Sequence, residues 1–211
     1  MDDAAARQAL RHAPAPGWAA TMRFIWRNRM FTPKYWVLGL RYLWWFKVRN
    51  RHVVTHGMVF LGRRTEVRCT RGLARMELGR WVWIGNGNSI RCHEGSLRIG
   101  DKVVFGTSNT VNAYLDVEIG EGSLVADWVY VADFDHRYDD PDTPIRKQGI
   151  RTSPVRIGAD CWIGEKATVL RGATVGRGSV VGAHAVVRDD IPPYSVAVGV
   201  PARVVKQRRR S

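Results

Sequence analysis

The chain has 211 residues, 45% of them hydrophobic, which is enough for one domain with a sizeable core. Its 33 Lys and Arg against 19 Asp and Glu leave a formal charge of +14, which predicts an anionic partner: nucleic acid, a membrane surface or a phosphate-rich cofactor. Cys69, Cys92 and Cys161 are odd in number and widely spaced, which excludes a disulfide framework or a metal-ligand pair and suits a reducing, cytoplasmic compartment.

Residues 1–56 read as an N-terminal extension. An Ala-rich arm begins with two acids, which argues against a secretory leader, and ends in the linker Ala13-Pro14-Ala15-Pro16-Gly17. Residues 18–49 then mix aromatic and aliphatic side chains with basic ones. Pro33 suits the first turn of a helix, so helix is predicted over residues 33–49. Aromatics fall on every face of that helix, so it should pack on more than one side. Core packing is the plain account. An apolar wall for a lipid-like group, or a weak contact with a membrane surface, is the sharper one. Arg41 breaks the apolar run well short of the ~20 residues that span a bilayer.

From Leu61 the pattern changes period. Aliphatics recur every sixth residue in triplets at 61, 67, 73; 78, 84, 90; 99, 105, 111; 119, 125, 131; 157, 163, 169; and 175, 181, 187, with Phe105 the one aromatic. Glycine usually follows, as if each corner needed backbone angles that a β-carbon forbids. A fixed short period marks a solenoid of stacked strands, three per coil, each sending one side chain into a common core. The solenoid is placed at residues 57–199, with a basic tail at 200–211. Between the coil starts at 119 and 157 a loop (132–156) has been inserted. Such insertions leave a solenoid on one face, often the binding face. This one is dense in acids in a basic chain and carries His136, one of six histidines.

Trp162-Ile163-Gly164, Gly172, Gly176, Val181-Gly182-Ala183, Asp190-Ile191-Pro192-Pro193-Tyr194 and Gly199-Val200-Pro201-Ala202-Arg203 together resemble the C-terminal half of hexapeptide-repeat O-acyltransferases. With weaker coils upstream the resemblance covers residues 57–206. It implies a left-handed parallel β-helix, an all-β solenoid that departs from the usual right-handed crossover. It also implies a homotrimer with acyl-CoA lying between subunits and a small sugar as acceptor. The basic, aromatic extension joined to this repeat and loop resembles more narrowly the mycobacterial octanoyltransferases that acylate a glucosylglycerate-type precursor of methylglucose lipopolysaccharides. That likeness implies octanoyl-CoA as co-substrate.

Moving an acyl group from a thioester to a hydroxyl needs a base near the alcohol at neutral pH, and histidine is the usual one. His136 stands at the foot of the insertion and where the family's catalytic histidine lies. Asp133 and Asp135 are candidates to orient it or to bind acceptor hydroxyls; solvated loop acids are the bland alternative. Asn109, Asn112, Tyr130 and Gln148 are acceptor-side candidates, although asparagines that cap the ladder would explain the first two equally well. By the resemblance, the backbone N–H of Glu165 receives the oxyanion. Gly164, Gly182 and Ala183 line the pantetheine arm, Trp162 flanks it, and Arg203 with Lys206 faces the phosphates. No serine or cysteine stands out as a nucleophile, so transfer should be direct, and no metal is expected.

Three other classes compete. A γ-type carbonic anhydrase needs two zinc histidines five residues apart, and no pair here has that spacing. A nucleic-acid binder would fit the charge, yet no recognised motif is present, so no nucleic-acid partner is expected. A non-catalytic scaffold would not need an acidic His-bearing loop. Within the enzyme class, a sugar O-acetyltransferase acting on a polysaccharide or an antibiotic is the alternative to octanoyl transfer.

Overall fold

The computed structural model describes residues 18–27 and 29–208. The arm expected over residues 1–17, His12 with it, and the last three residues of the tail lie outside these.

Six coils build three parallel sheets that enclose one core. The first sheet stacks β1 (Val54–Thr55), β4 (Ala74–Leu78), β7 (Gly95–Ile99), β10 (Asp116–Ile119), β15 (Val155–Ile157) and β18 (Thr174–Val175). The second stacks β2 (Val59–Leu61), β5 (Val82–Ile84), β8 (Val104–Phe105), β11 (Leu124–Val125), β16 (Trp162–Ile163), β19 (Val180–Val181) and β21 (Ser195–Val198). The third stacks β3 (Glu66–Cys69), β6 (Ser89–Cys92), β9 (Thr110–Ala113), β12 (Tyr130–Ala132), β17 (Thr168–Val169) and β20 (Val186–Val187). Register keeps each inward residue above its equivalent: Ile99, Ile119 and Ile157 on one face, Phe105, Val125 and Ile163 on the next, Val111, Val131 and Val169 on the third. All nine are buried. This is the left-handed β-helix expected of hexapeptide repeats.

The period holds, but its phase slips in the first coil. Leu61 stacks on Ile84 rather than Leu78, and Thr55 occupies the position above Leu78. Leu73, read as inward, is 65% exposed in the turn before β4. A polar Thr55 hides the true first position, and the third corner of this coil is longer than six-residue counting allows. Strand β1 therefore precedes residue 57, and residues of the expected tail form β22 (Arg203–Gln207), antiparallel to β21. That reversal ends the parallel template at an otherwise open edge.

The corner glycines also have a different cause from the one predicted. The left-handed residue falls two positions after the glycine, and is often not glycine: Trp81, Lys102, Ser108, Asp160, Lys166 and His184 all have φ between 56° and 61°. The glycine is needed for close approach. A β-carbon at Gly164 would lie 2.6 Å from the Ala183 nitrogen and 2.8 Å from the Gly182 carbonyl carbon, both backbone atoms of the next coil.

Helix α1 (Trp18–Arg27) is followed by α2 (Pro33–Tyr42), which continues as a π-helical stretch, Leu43–Arg49. Helix over 33–49 is as predicted. Leu38, Tyr42 and Phe46, four apart, share one side and are buried. Tyr42 and Phe46 join Val53 in the core, so this side closes the coil-1 end of the prism. Tyr35 meets Phe60 of β2 edge to face at 5.8 Å.

Candidate active site

The insertion leaves the prism at the corner after the third sheet of coil 4. There β13 (Phe134–His136) and β14 (Ile150–Thr152) form an antiparallel hairpin that pairs Phe134 with Thr152 and His136 with Ile150. Its root is anchored twice. The Asp133 carboxylate, fully buried, accepts the backbone N–H groups of Tyr114, Leu115 and Asp116 at 2.8, 2.8 and 2.7 Å. Arg156, on β15 where the chain rejoins the prism, ion-pairs with Asp116 and donates to its carbonyl at 2.9 Å. Arg98 reaches the same carboxylate at 2.9 Å and Glu118 at 3.0 Å. Farther out, Gln148 staples the loop: its Nε2 donates to the carbonyls of Asp140 and Thr143 at 2.8 and 2.7 Å, and its Oε1 accepts from the Asp140 N–H at 3.1 Å.

Burial alone would push the Asp116 carboxyl up, but the Ser96 hydroxyl, Arg98 and Arg156 outweigh it and hold the group below its ordinary value of 3.8. A depressed folded-state pKa gives stability that is present above the unfolded value and is lost as pH falls through the folded one. The denaturation midpoint of the wild type should therefore exceed that of Asp116→Asn by a constant margin at neutral pH, shrinking below pH 3.8. A margin that stays unchanged to the acid limit would contradict this.

His136 is exposed at the end of β13, its ring edge-on to Phe134 at 6.2 Å. Phe134 in turn lies 4.5 Å from Tyr114, and Tyr114 stacks on His93 at 4.6 Å. This row of rings climbs one coil per step at the same corner. Phe134 and Tyr114 are not among the residues expected from the sequence, where the spacing 93, 114, 134 is their signal. Neither acid orients the imidazole within this chain. Asp133 is taken by three backbone amides, and Asp135 ion-pairs with Arg171.

Trp162, Gly164, Glu165, Gly182 and Ala183 gather at a different corner, between the second and third sheets, whereas Arg203 and Lys206 lie on β22. Trp162 points outward from β16 and is 53% exposed. Gly164 and Glu165 turn the corner below it, and Gly182 and Ala183 turn the next. At two of the equivalent corners the amides of Arg63 and Thr107 are capped by Asn86 Oδ1 and Asp127 Oδ1, at 2.7 and 2.6 Å, whereas the amides of Asn86 and Asp127 themselves meet no acceptor among the described residues. After Glu165 the following coil offers only Ala183, and among the described residues the Glu165 N–H meets no acceptor. Arg203 already pairs with Asp189 at 2.9 Å, which holds the Asp189 carboxyl below its ordinary range. Lys206 is exposed on β22, opposite Val196 of β21.

The third sheet separates the two corners. At about 3.3 Å per residue, one short strand keeps them roughly 15 Å apart within a chain. Its outer surface carries Tyr130, exposed, and Asn112, whose Oδ1 is buried without a partner among the described residues. Asn109 is fully buried between coils: its N–H donates to Asn88 Oδ1 at 3.0 Å and its Oδ1 accepts from Val129 at 2.7 Å. Asn109 and Asp133 thus belong to the framework and are closed to an acceptor. The three cysteines are buried. Burial raises the thiols of Cys69 and Cys161, and burial beside Cys69 and Asp133 takes Cys92 to about 12, so none is a thiolate nucleophile at neutral pH.

This fold and corner chemistry define a class. Residues 154–189 match the family described as bacterial transferase hexapeptide (six repeats). The chain is 58% identical over 192 residues to "Probable acetyltransferase Rv3034c" of Mycobacterium tuberculosis, covering 91% of this chain and 64% of that relative. It is 38% identical over 128 residues to nodulation protein L of Rhizobium meliloti, covering 57% of this chain and 68% of the other. A point variant of AntD, an N-acyltransferase from Bacillus cereus in complex with dTDP and coenzyme A, shares the fold: TM-score 0.62, 17% identity, 79% of this chain and 88% of that one. The chain belongs to the hexapeptide-repeat transferase family.

Proposed function

We propose that the protein transfers an acyl group from CoA to a sugar hydroxyl, at sites completed by two subunits of a homotrimer. One observation carries this reading: His136 and the open Glu165 amide lie on two different corners of the same prism. Neither corner alone is more than a shallow groove, and a second prism turns two grooves into a cleft. In that cleft His136 removes the acceptor proton while the oxygen attacks the thioester carbonyl. The tetrahedral oxyanion accepts from the Glu165 N–H, and its collapse expels the CoA thiolate, which recovers the proton from the imidazolium. Gly164, Gly182 and Ala183 leave room for the pantetheine arm beside Trp162. Arg203 and Lys206 offer charge to the phosphates, Arg203 by exchanging Asp189 for a phosphate oxygen. Asn112 and Tyr130 face the acceptor.

The acyl group is read as acetyl. The Mycobacterium relative carries that activity in its name. The aromatic extension, which an octanoyl channel would need, sits on coil 1, three coils from the insertion in the same chain. Octanoyl transfer to a glucosylglycerate-type acceptor is the competing reading, carried by the resemblance of extension, repeat and loop. Free-CoA release from acetyl-, hexanoyl-, octanoyl- and dodecanoyl-CoA against a panel of sugars and glucosylglycerates separates them. Acetyl-CoA is expected to react fastest. A rate that climbs to octanoyl would reinstate the longer chain, because each buried methylene contributes ~0.8 kcal/mol. No CoA release with any pair would remove the enzyme reading.

A further inference from the structure

The N-terminal helices are apolar on two sides, and only one side is covered. Leu38, Tyr42 and Phe46 face the prism. On the opposite side Trp36, Leu40, Trp44 and Val48 follow the same helical spacing and stand 69%, 66%, 61% and 58% exposed. Trp26 of α1, 76% exposed, meets Phe31 edge to face at 5.8 Å and extends this surface. A helix that is apolar all round is ordinarily buried all round. The charge around the stripe is one-sided: residues 18–56 hold eight Lys and Arg and no Asp or Glu. Three of them turn to the prism, Lys34 over the Trp83 ring, Arg41 to the Leu61 carbonyl and Lys47 to the Thr55 hydroxyl, and among the described residues none of the eight meets a carboxylate.

We propose that this face lies on an anionic lipid surface, with Trp26, Trp36, Leu40, Trp44 and Val48 entering the headgroup region and the cations around them meeting lipid phosphates. Tryptophan suits that boundary, since its ring is apolar and its N–H is wet. No helix of the described residues is long and apolar enough to cross a membrane, so the contact is interfacial. A second copy is the poorer cover, because two such faces would bring like charges together. This docking is independent of the acyl-transfer reading and stands or falls without it.

The test uses the full chain at about 0.15 M salt, sedimented with phosphatidylcholine vesicles, pure or with about one third phosphatidylglycerol. Binding should be at least about tenfold tighter to the anionic vesicles, and brominated lipid should quench tryptophan fluorescence. Trp36→Glu with Trp44→Glu should lose both signals, with CoA release and oligomer mass unchanged. Equal binding by wild type and variant, absence of binding to anionic vesicles, or a fall in oligomer mass would each overturn the proposal, the last by making the stripe a subunit interface. So would tight binding to DNA with no preference for anionic vesicles over neutral ones.

Discussion

His136→Ala is expected to lower turnover at least about 100-fold while fold and oligomer stay intact. A positioned base contributes ~10²–10⁴ in rate, and this ring is exposed, with only an edge contact to Phe134, so its removal disturbs little else. The two-corner geometry adds a stricter expectation. An Ala183→Trp chain, blocked at the donor corner by a larger side chain at an exposed position, should also be inactive. Mixed oligomers of the two variants should recover about one quarter of wild-type activity, because a cleft between unlike chains can take an intact histidine from one and an open corner from the other. Near-wild-type turnover of His136→Ala would remove the mechanism. Absence of complementation between two stable trimeric variants would return both corners to one chain.

Asp133→Ala should be the most damaging single change to stability. It leaves three backbone N–H groups at the root of the insertion without their carboxylate. Each buried donor left unsatisfied costs ~1–3 kcal/mol, and water entering the gap relieves part of it, so a loss of about 3 kcal/mol or more in urea unfolding is expected. Asp133→Asn, which keeps one acceptor oxygen, should fall between. A change of under about 0.5 kcal/mol would mean that the root holds without this anchor.

The solenoid was legible because its signal is periodic: one aliphatic in six survives chance substitution when it recurs in every coil. Its phase was not, because Thr55 fills an inward position with a polar residue and Leu73 sits one turn away looking apolar. The roles of Asp133 and Gln148 were also hidden. An acid or amide in a loop reads as a ligand for substrate, and only the closure of the chain shows it bound to amides 17–19 residues back or to carbonyls five to eight residues away. Asn109 was legible only as two alternatives, and burial decides for the ladder. The separation of His136 from Glu165 could not be read at all, since counting residues along the chain does not say which corner of a prism each one reaches.

Because coils stack at about 4.8 Å, the prism acts as a ruler between its helical end and the histidine loop. The helices close coil 1 and the loop leaves coil 4, so the root of the histidine loop is held roughly 15 Å from that end. That distance can change only in whole steps, by gaining or losing a coil between Thr55 and Val131. An acceptor anchored at the same surface as the helices would thus be selected by the reach of its own headgroup. One coil more or less would present a different length of sugar to the same chemistry.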